Sequence, residues 1–300
     1  MIRNRVILKL IALALIPLLL VGLGCGLNRK DQGFSVHRIS AQMDYEQDWD
    51  LPPLRFEQKQ LVKQILSQKF EYLADGTQVY AFVSKDGKYI LKFFKMRHLT
   101  PKLWLNYLPI PESLEDYRFR KLDKRILLRY ETFSSYKQAF EELQKESGLL
   151  YVHLNPTREF KKNVLVVDDK GKEHKIDLDR VPFVIQKRAE LLYVRLAKIK
   201  EKRDHVEMRY ALHSFLQLVA LRCKKGFADK DKGISGNYGF VGDTVIQIDI
   251  GEMLHDDLLK EPSNVQREVL RVGKRLEYWI MHNAPEYTGD IQEEIKHFFD

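Results

Sequence analysis

The residue types best suited to chemistry are concentrated between Gly226 and Met253. This stretch places acidic residues and one asparagine on a glycine-bearing loop, and a short apolar run, Thr244–Ile248, follows. The run ends at Asp249-Ile250-Gly251. Because a rigid strand end can hold charged groups against a ligand, the pattern predicts a strand–loop binding site.

A calcium-binding loop is an alternative interpretation of the same residues. Asp229, Asp231, Gly233 and Ser235 alternate somewhat as the ligands of an EF-hand loop do. That pattern needs an acidic residue at its twelfth position, and none closes the loop here. An unrelated α+β lipoprotein with a Ca²⁺-binding loop is therefore the weaker hypothesis.

A lysine inside a strand pattern is the second candidate for chemistry. Gln78–Ser84 and Lys88–Phe94 are rich in β-formers and flank a Lys85-Asp86-Gly87 turn, so they predict a β-hairpin. Lys92 is the charged residue in the interior of the second run, and Gly76 lies just before the hairpin. Taken alone, Lys92 is most simply interpreted as an outward-facing strand residue.

The elements that must position these residues change in type along the chain. A charge-rich helical pattern covers Leu122–Ser147, with Gly148 placed as its C-cap. Short strand patterns continue to Gln186, and helical patterns dominate after Ala189. The sequence therefore predicts an α+β protein, β-rich first and helical second, with the polar site inside the helical half.

This ordered layout resembles the protein-kinase-like superfamily. That family has a β-rich lobe with a strand lysine, a long helix with a glutamate, and a hinge leading into a helical lobe. Tyr89–Lys92 stands where the family has V-A-I-K, Gln186–Glu190 lies at the hinge, and Asp249–Gly251 stands where the family has D-F-G. The resemblance covers roughly residues 57–283 and implies a two-lobed fold.

The resemblance implies ATP and Mg²⁺ as cofactors, and the β-rich half would hold the nucleotide. Lys92 would bind the α and β phosphates. A helix glutamate would orient that lysine, and Glu142 is the candidate, with Glu131 as the alternative. Gly76 is all that remains of the family's glycine-rich phosphate loop.

The helical half would supply the metal ligands and the base. Asp249 and Asn237 would bind Mg²⁺ together with phosphates and water. Asp231 would act as the catalytic base toward the acceptor hydroxyl. Asn237 follows Asp231 with one residue more than the family spacing, so either the loop bulges or another group, such as Asp229, is the base.

Departures from the family pattern leave two functions open. The H-R of H-R-D and the A-P-E motif are absent, and the chain ends soon after Gly251. This favours a membrane-anchored phosphotransferase acting on a sugar, lipid or small molecule rather than a standard protein substrate. The alternative is a pseudokinase that serves as a membrane-attached binding module.

Composition limits the remaining classes of function. The chain has 300 residues, 44% of them hydrophobic, and a formal charge of +8, which predicts one large or two-lobed globular domain. It carries no nucleic-acid-binding motif, so nucleic acid is not expected as a partner. Cys25 and Cys223 form neither a disulfide framework nor a metal site.

The N-terminus predicts attachment to a membrane. Arg3, Arg5 and Lys9 precede an uncharged run, Leu10–Cys25, so residues 1–27 are interpreted as a signal or anchor segment that inserts through residues 6–25. A lipoprotein whose Cys25 is lipidated is an alternative, and the side of the membrane stays open. Residues 28–55 are predicted to be a linker, residues 56–187 the β-rich lobe with its long helix, and residues 188–300 the helical lobe.

Overall fold

The computed structural model describes residues 33–101, 107 and 111–299. Residues 36–300 form one compact unit, and of the preceding unit, residues 1–35, only Gly33–Ser35 are described. The predicted anchor segment, residues 1–27, lies outside the described residues. Among the helices that are described, none is both long and apolar enough to cross a membrane.

A seven-stranded mixed sheet forms the first half of the unit. Its strands are β1 Lys69–Asp75, β2 Val79–Ser84, β3 Tyr89–Phe94, β4 Leu149–His153, β5 Asn163–Val167, β6 Glu173–Asp177 and β7 Phe183–Lys187. Their order is β4-β7-β3-β2-β1-β5-β6, and only the β1–β5 pair is parallel. Lys92 pairs with Ala81 on one side and Val184 on the other, so it lies on a central strand.

Helices precede β1, lie between β3 and β4, and make up most of the second half. They are α1 Val36–Ile39, α2 Phe56–Ile65, α3 Met96–Leu99, α4 Glu115–Glu142, α5 Gln144–Ser147, α6 Leu192–Lys202, α7 His205–Lys224, α8 Pro262–Asn283 and α9 Thr288–Lys296. Short 3₁₀ helices lie at Gln47–Trp49, Glu112–Leu114, Asp257–Lys260 and Pro285–Tyr287. Gly148 ends α5 with a φ of +65°, which confirms the predicted C-cap.

Two of the apolar clusters among the described residues contain side chains of the polar stretch, Gly226–Met253. The first lies between the sheet and one face of α4, where Phe133, Tyr136 and Ala139 are buried together with strand residues. The second is formed by α6–α9 and includes Phe215 and Leu276, both completely buried. The predicted α+β class, with strands first and helices second, is confirmed.

Two small sheets carry the polar stretch of the helical half. They contain β8 Glu190–Leu191, β9 Phe227–Asp229, β10 Tyr238–Val241, β11 Thr244–Gln247 and β12 Met253–His255. One sheet has the order β11-β10-β8, and β9 pairs with β12 in the other. The loop from Lys230 to Asn237 therefore begins at one sheet and ends at the other, which fixes both of its ends.

The prediction of a linker over residues 28–55 is corrected for residues 36–55, which pack as part of the folded unit. Trp49 is only 4% exposed and packs edge-on against Phe133. Asn155 donates through Nδ2 to the Glu46 carbonyl at 2.9 Å and to Asp50 Oδ1 at 2.8 Å. An aperiodic segment can still be anchored by one large apolar residue and a few hydrogen bonds, which hydrophobic periodicity does not detect.

Candidate functional site

Lys92 is buried and points toward the second half of the molecule. Its side chain is only 5% exposed, and its Nζ donates to the Ile248 carbonyl at 2.7 Å. Burial lowers the pKa of Lys92 to about 8, while the nearby charge of Asp249 acts to raise it. The outward-facing interpretation of this lysine is therefore wrong. A buried lysine beside an exposed carboxylate is a candidate functional group.

Asp249 and Asn237 are brought together by the hairpin of β10 and β11. Tyr238 pairs with Gln247 in that hairpin, so the residues just outside the pair, Asn237 and Ile248, also meet. The Ile248 amide donates to the Asn237 carbonyl at 2.6 Å. Asp249 follows directly, is exposed, and accepts through Oδ1 from its own turn at Gly251 N, at 3.2 Å.

Asp231 is held in place by Asn237. The Asn237 Nδ2 donates to Asp231 Oδ2 at 2.8 Å, and Gly233 N donates to Asp231 Oδ1 at 2.8 Å. The bond from Asn237 lowers the pKa of Asp231, and the bond from Gly233 acts in the same direction. Asp231 is exposed, so an ionised carboxylate is presented at the surface of the loop.

The extra residue between Asp231 and Asn237 is accommodated by a turn. Asn237 N donates to the Ile234 carbonyl at 3.2 Å, and Gly236 has a φ of +84°. A left-handed glycine at the third position of such a turn costs no steric strain. The longer spacing therefore still places Asn237 against Asp231.

Asp229 lies beneath this loop and is buried. Its side chain is 3% exposed, its Oδ1 accepts from Asp231 N at 3.0 Å, and its Oδ2 accepts from Gln247 Nε2 at 2.8 Å. Burial raises the pKa of Asp229 to about 7, although Arg222, 3.4 Å from Oδ2, acts to lower it. Asp229 thus supports the loop from below, whereas Asp231 faces outward.

Arg222 joins the elements beneath the site, and the sequence reasoning missed it. It is 2% exposed, and its Nη1 donates to Tyr238 Oη at 2.9 Å and Gln247 Oε1 at 3.0 Å. Its Nη2 donates to Glu268 Oε1 on α8 at 3.1 Å. The sequence could have indicated Arg222, because it is a charged residue on the apolar face of the α7 pattern, beside Val219.

The expected pairing of Lys92 with Glu142 or Glu131 is not present. Glu142 ends α4, where its backbone carbonyl accepts from Lys225 at 2.8 Å. Glu131 forms an ion pair with Lys230 at 3.0 Å. Within the part of the chain that the structure describes, Lys92 forms no ion pair.

Neutral residues of α4 occupy the face toward the site instead. Ser135 Oγ donates to the Ile250 carbonyl and accepts from Met253 N at 3.0 Å. Burial raises the pKa of Tyr136, and the neighbouring charge of Asp249 raises it further. The helical turns that face Asp249 therefore carry hydroxyl groups rather than a carboxylate.

Gly76 lies in the loop between β1 and β2. Its amide donates to the Val79 carbonyl at 3.0 Å, and its carbonyl accepts from Lys95 Nζ. The Gly76 N–H is thus used within the turn. The Gly76 amide is therefore not available to donate a hydrogen bond to a phosphate.

Asp249 and Asn237 are side chains of this site that could supply oxygen ligands to a metal ion. Among the described residues, no group of three His, Cys, Asp or Glu side chains could hold a metal ion. Mg²⁺ in phosphoryl-transfer sites is usually bound by one or two carboxylates plus phosphates and water. Asp249 could supply the carboxylate. Because Asn237 Nδ2 donates to Asp231, its Oδ1 is the remaining ligand atom.

Comparisons with known proteins give little further information. No protein-family model and no curated protein matches the chain. Among solved structures, the bifunctional kinase-methyltransferase WbdD is similar at a TM-score of 0.32 and 14% identity, over 73% of this chain and 43% of that chain. WbdD in complex with the kinase inhibitor LY294002 is similar at a TM-score of 0.32 and 11% identity, over 75% of this chain and 45% of that chain. The chain thus spans less than half the length of these structures.

Proposed function

We propose that this chain is a Mg-ATP-dependent phosphotransferase of the kinase-like type. The observation that carries the proposal is that buried Lys92, from the central strand of the large sheet, lies beside Asp249 from the helical half. Asn237 and Asp231 adjoin Asp249 through the β10–β11 hairpin. A buried cation, a carboxylate, a carboxamide and an ionised carboxylate thus come together from both halves of the unit.

Each of these groups suits a step of phosphoryl transfer. That reaction depends on positioning and on neutralising phosphate charge rather than on covalent chemistry by the protein. Lys92 would bind phosphate oxygens, and Asp249 and Asn237 would hold the Mg²⁺ that neutralises the transferred group. The low exposure of Lys92 strengthens its interaction with a phosphate, because little water screens the charges.

Asp231 is the residue we assign to the acceptor. Its carboxylate is exposed and ionised, and Asn237 fixes its orientation, so it could accept a hydrogen bond from an acceptor hydroxyl. Asp229 is buried below and holds the Asp231 amide, which suits a positioning residue. A sugar, lipid or small-molecule acceptor, and attachment to a membrane through residues 6–25, remain parts of this proposal that rest on the sequence.

Binding and turnover of ATP by the full-length protein test the proposal. Asp249→Asn should weaken Mg-dependent ATP binding about tenfold or more, since an interaction with a charged group is worth about 1.5–3 kcal/mol. Asp231→Asn should retain binding and lower turnover by about 10²–10⁴-fold. Calorimetry and phosphate release measure the two effects.

The control for both variants is Asp243→Asn, an exposed aspartate in the β10–β11 turn that pairs with Arg195 rather than with the site. It should leave binding and turnover unchanged. A wild-type protein that binds no Mg-ATP would sink the proposal. Equal losses in Asp249→Asn and Asp243→Asn would contradict the assigned role of Asp249.

A nucleotide-binding module without turnover is the second candidate function. Two observations favour it: Lys92 has no glutamate partner among the described residues, and the Gly76 amide is used within its own turn. The same calorimetry distinguishes the two functions. Mg-ATP binding that is lost in Asp249→Asn, together with phosphate release that Asp231→Asn does not change, would support the binding module.

A further inference from the structure

The loop between β1 and β2 places one side chain over the candidate site. Gln78 is half-buried, and its carbonyl accepts from Lys95 N at 2.8 Å. Lys95 also pairs with Asp75 and bonds to the Gly76 carbonyl. The loop is therefore fixed to the end of β3 on both sides of its tip, which gives the Gln78 side chain a defined direction.

That direction is toward Gly251. Thr132, a completely buried residue of α4, donates through Oγ1 to Gln78 Oε1 at 3.1 Å. A Cβ atom added to Gly251 would lie 2.6 Å from Gln78 Oε1 and 3.6 Å from Asp249 Oδ1. The carboxamide of Gln78 and the carboxylate of Asp249 thus lie over the same glycine.

We propose that Gln78 contacts the bound nucleotide, with its Nε2 donating to a phosphate oxygen of the Mg-nucleotide held by Asp249. The inference rests on the proposed function and adds a binding residue to it. Because Oε1 accepts from Thr132 and can only accept, Nε2 is the carboxamide atom that can donate to a phosphate oxygen. The Gln78 side chain would then donate a hydrogen bond to phosphate, which the Gly76 amide does not do because it is bonded to the Val79 carbonyl.

A purely structural role for Gln78 predicts different behaviour. If Gln78 only ties the loop to α4, its removal should loosen the whole site and weaken every nucleoside ligand alike. If Gln78 binds phosphate, its removal should weaken ATP and leave adenosine, which lacks phosphate, unchanged. The ratio of the two affinities therefore separates a phosphate contact from general loosening.

Calorimetric titration of the full-length protein with Mg-ATP and with adenosine measures that ratio. Gln78→Ala should weaken Mg-ATP about tenfold, the effect of one hydrogen bond to a charged group, with adenosine affinity unchanged. Thr132→Val keeps the volume but removes the donor to Oε1. It should give a smaller loss, confined to ATP, because the carboxamide is then free to rotate. Gln217→Ala, an exposed glutamine on α7, is the control.

The outcomes distinguish failure of this inference from failure of the proposed function. Wild-type protein that binds Mg-ATP while Gln78→Ala binds it equally well overturns the inference and leaves the phosphotransferase proposal intact. Parallel losses for ATP and adenosine also overturn it, because they indicate a structural role. Wild-type protein that binds no Mg-ATP overturns both.

Discussion

At Asp229, burial and a neighbouring charge have opposite effects on the pKa. Its carboxyl is enclosed by α7, β9 and β11, and burial raises its pKa to about 7 from 3.8, while Arg222 acts to lower it. A raised folded-state pKa means that the folded protein binds this proton more tightly than the unfolded chain does. The stability contributed by protonated Asp229 is therefore complete below about pH 4 and is lost as pH rises through about 7.

Asp229→Asn should remove that loss. Between pH 5 and pH 8, the free energy of unfolding of the variant should rise relative to that of the wild type by about 2 kcal/mol, because asparagine cannot ionise. Urea denaturation at both pH values measures the change. Asp231→Asn is the matched control: the pKa of Asp231 is lowered, so its contribution is already constant over this range. A pH-independent difference for Asp229→Asn would mean that Arg222 keeps Asp229 ionised even at pH 5.

Residue types could be predicted from the sequence more readily than residue partners. The acidic loop and the strand lysine stood out by composition and position, and the structure places them together. Glu142 could not be assigned correctly, because a sequence pattern gives the extent of a helix but not which face meets Asp249. Arg222 was missed for a related reason, since its partners lie on four other elements, β9, β10, β11 and α8.

Among the elements, the junction of α5 and β4 leaves no room for a side chain at Gly148. Gly148 has a φ of +65°, and a Cβ atom there would lie 2.8 Å from Ile246 Cδ1 on β11. Both backbone conformation and close packing therefore require glycine at this position. The hydrophobic periodicity and Gly148 predicted where the helix ends. A local sequence pattern cannot predict the contact of Gly148 with β11, which comes almost a hundred residues later.

Gly148→Ala should lower the free energy of unfolding by about 2–3 kcal/mol, of which about 1 kcal/mol comes from the left-handed backbone and the rest from Ile246. Gly171→Ala tests the backbone part alone, since Gly171 has a φ of +78° and nothing within 4 Å of an added Cβ. Adding Ile246→Val to Gly148→Ala should recover part of the loss, because valine lacks the clashing Cδ1. Equal losses for Gly148→Ala and Gly171→Ala would rule out the contact with Ile246.

At the scale of the whole unit, the folded part of the chain includes residues 36–55. Trp49 packs at 5.3 Å from Tyr130 and 5.5 Å from Phe133, measured between ring centroids, and its Nε1 donates to Glu46 at 2.9 Å. Arg129 adds an ion pair to Glu46 at 3.2 Å. The segment thus packs against α4, the same helix that carries Thr132 and Ser135 on its face toward the site.

Trp49→Ala should therefore destabilise the folded unit by about 3–5 kcal/mol, the usual cost of removing a large buried aromatic side chain. Phe56→Ala is the control, because Phe56 is 71% exposed and its loss should change stability by less than about 0.5 kcal/mol. The urea midpoint of the full-length protein measures both changes. A free linker would predict no difference between the two variants. A large loss in Trp49→Ala, in one cooperative transition, would show that residues 36–55 fold with the unit and help to hold α4 in place.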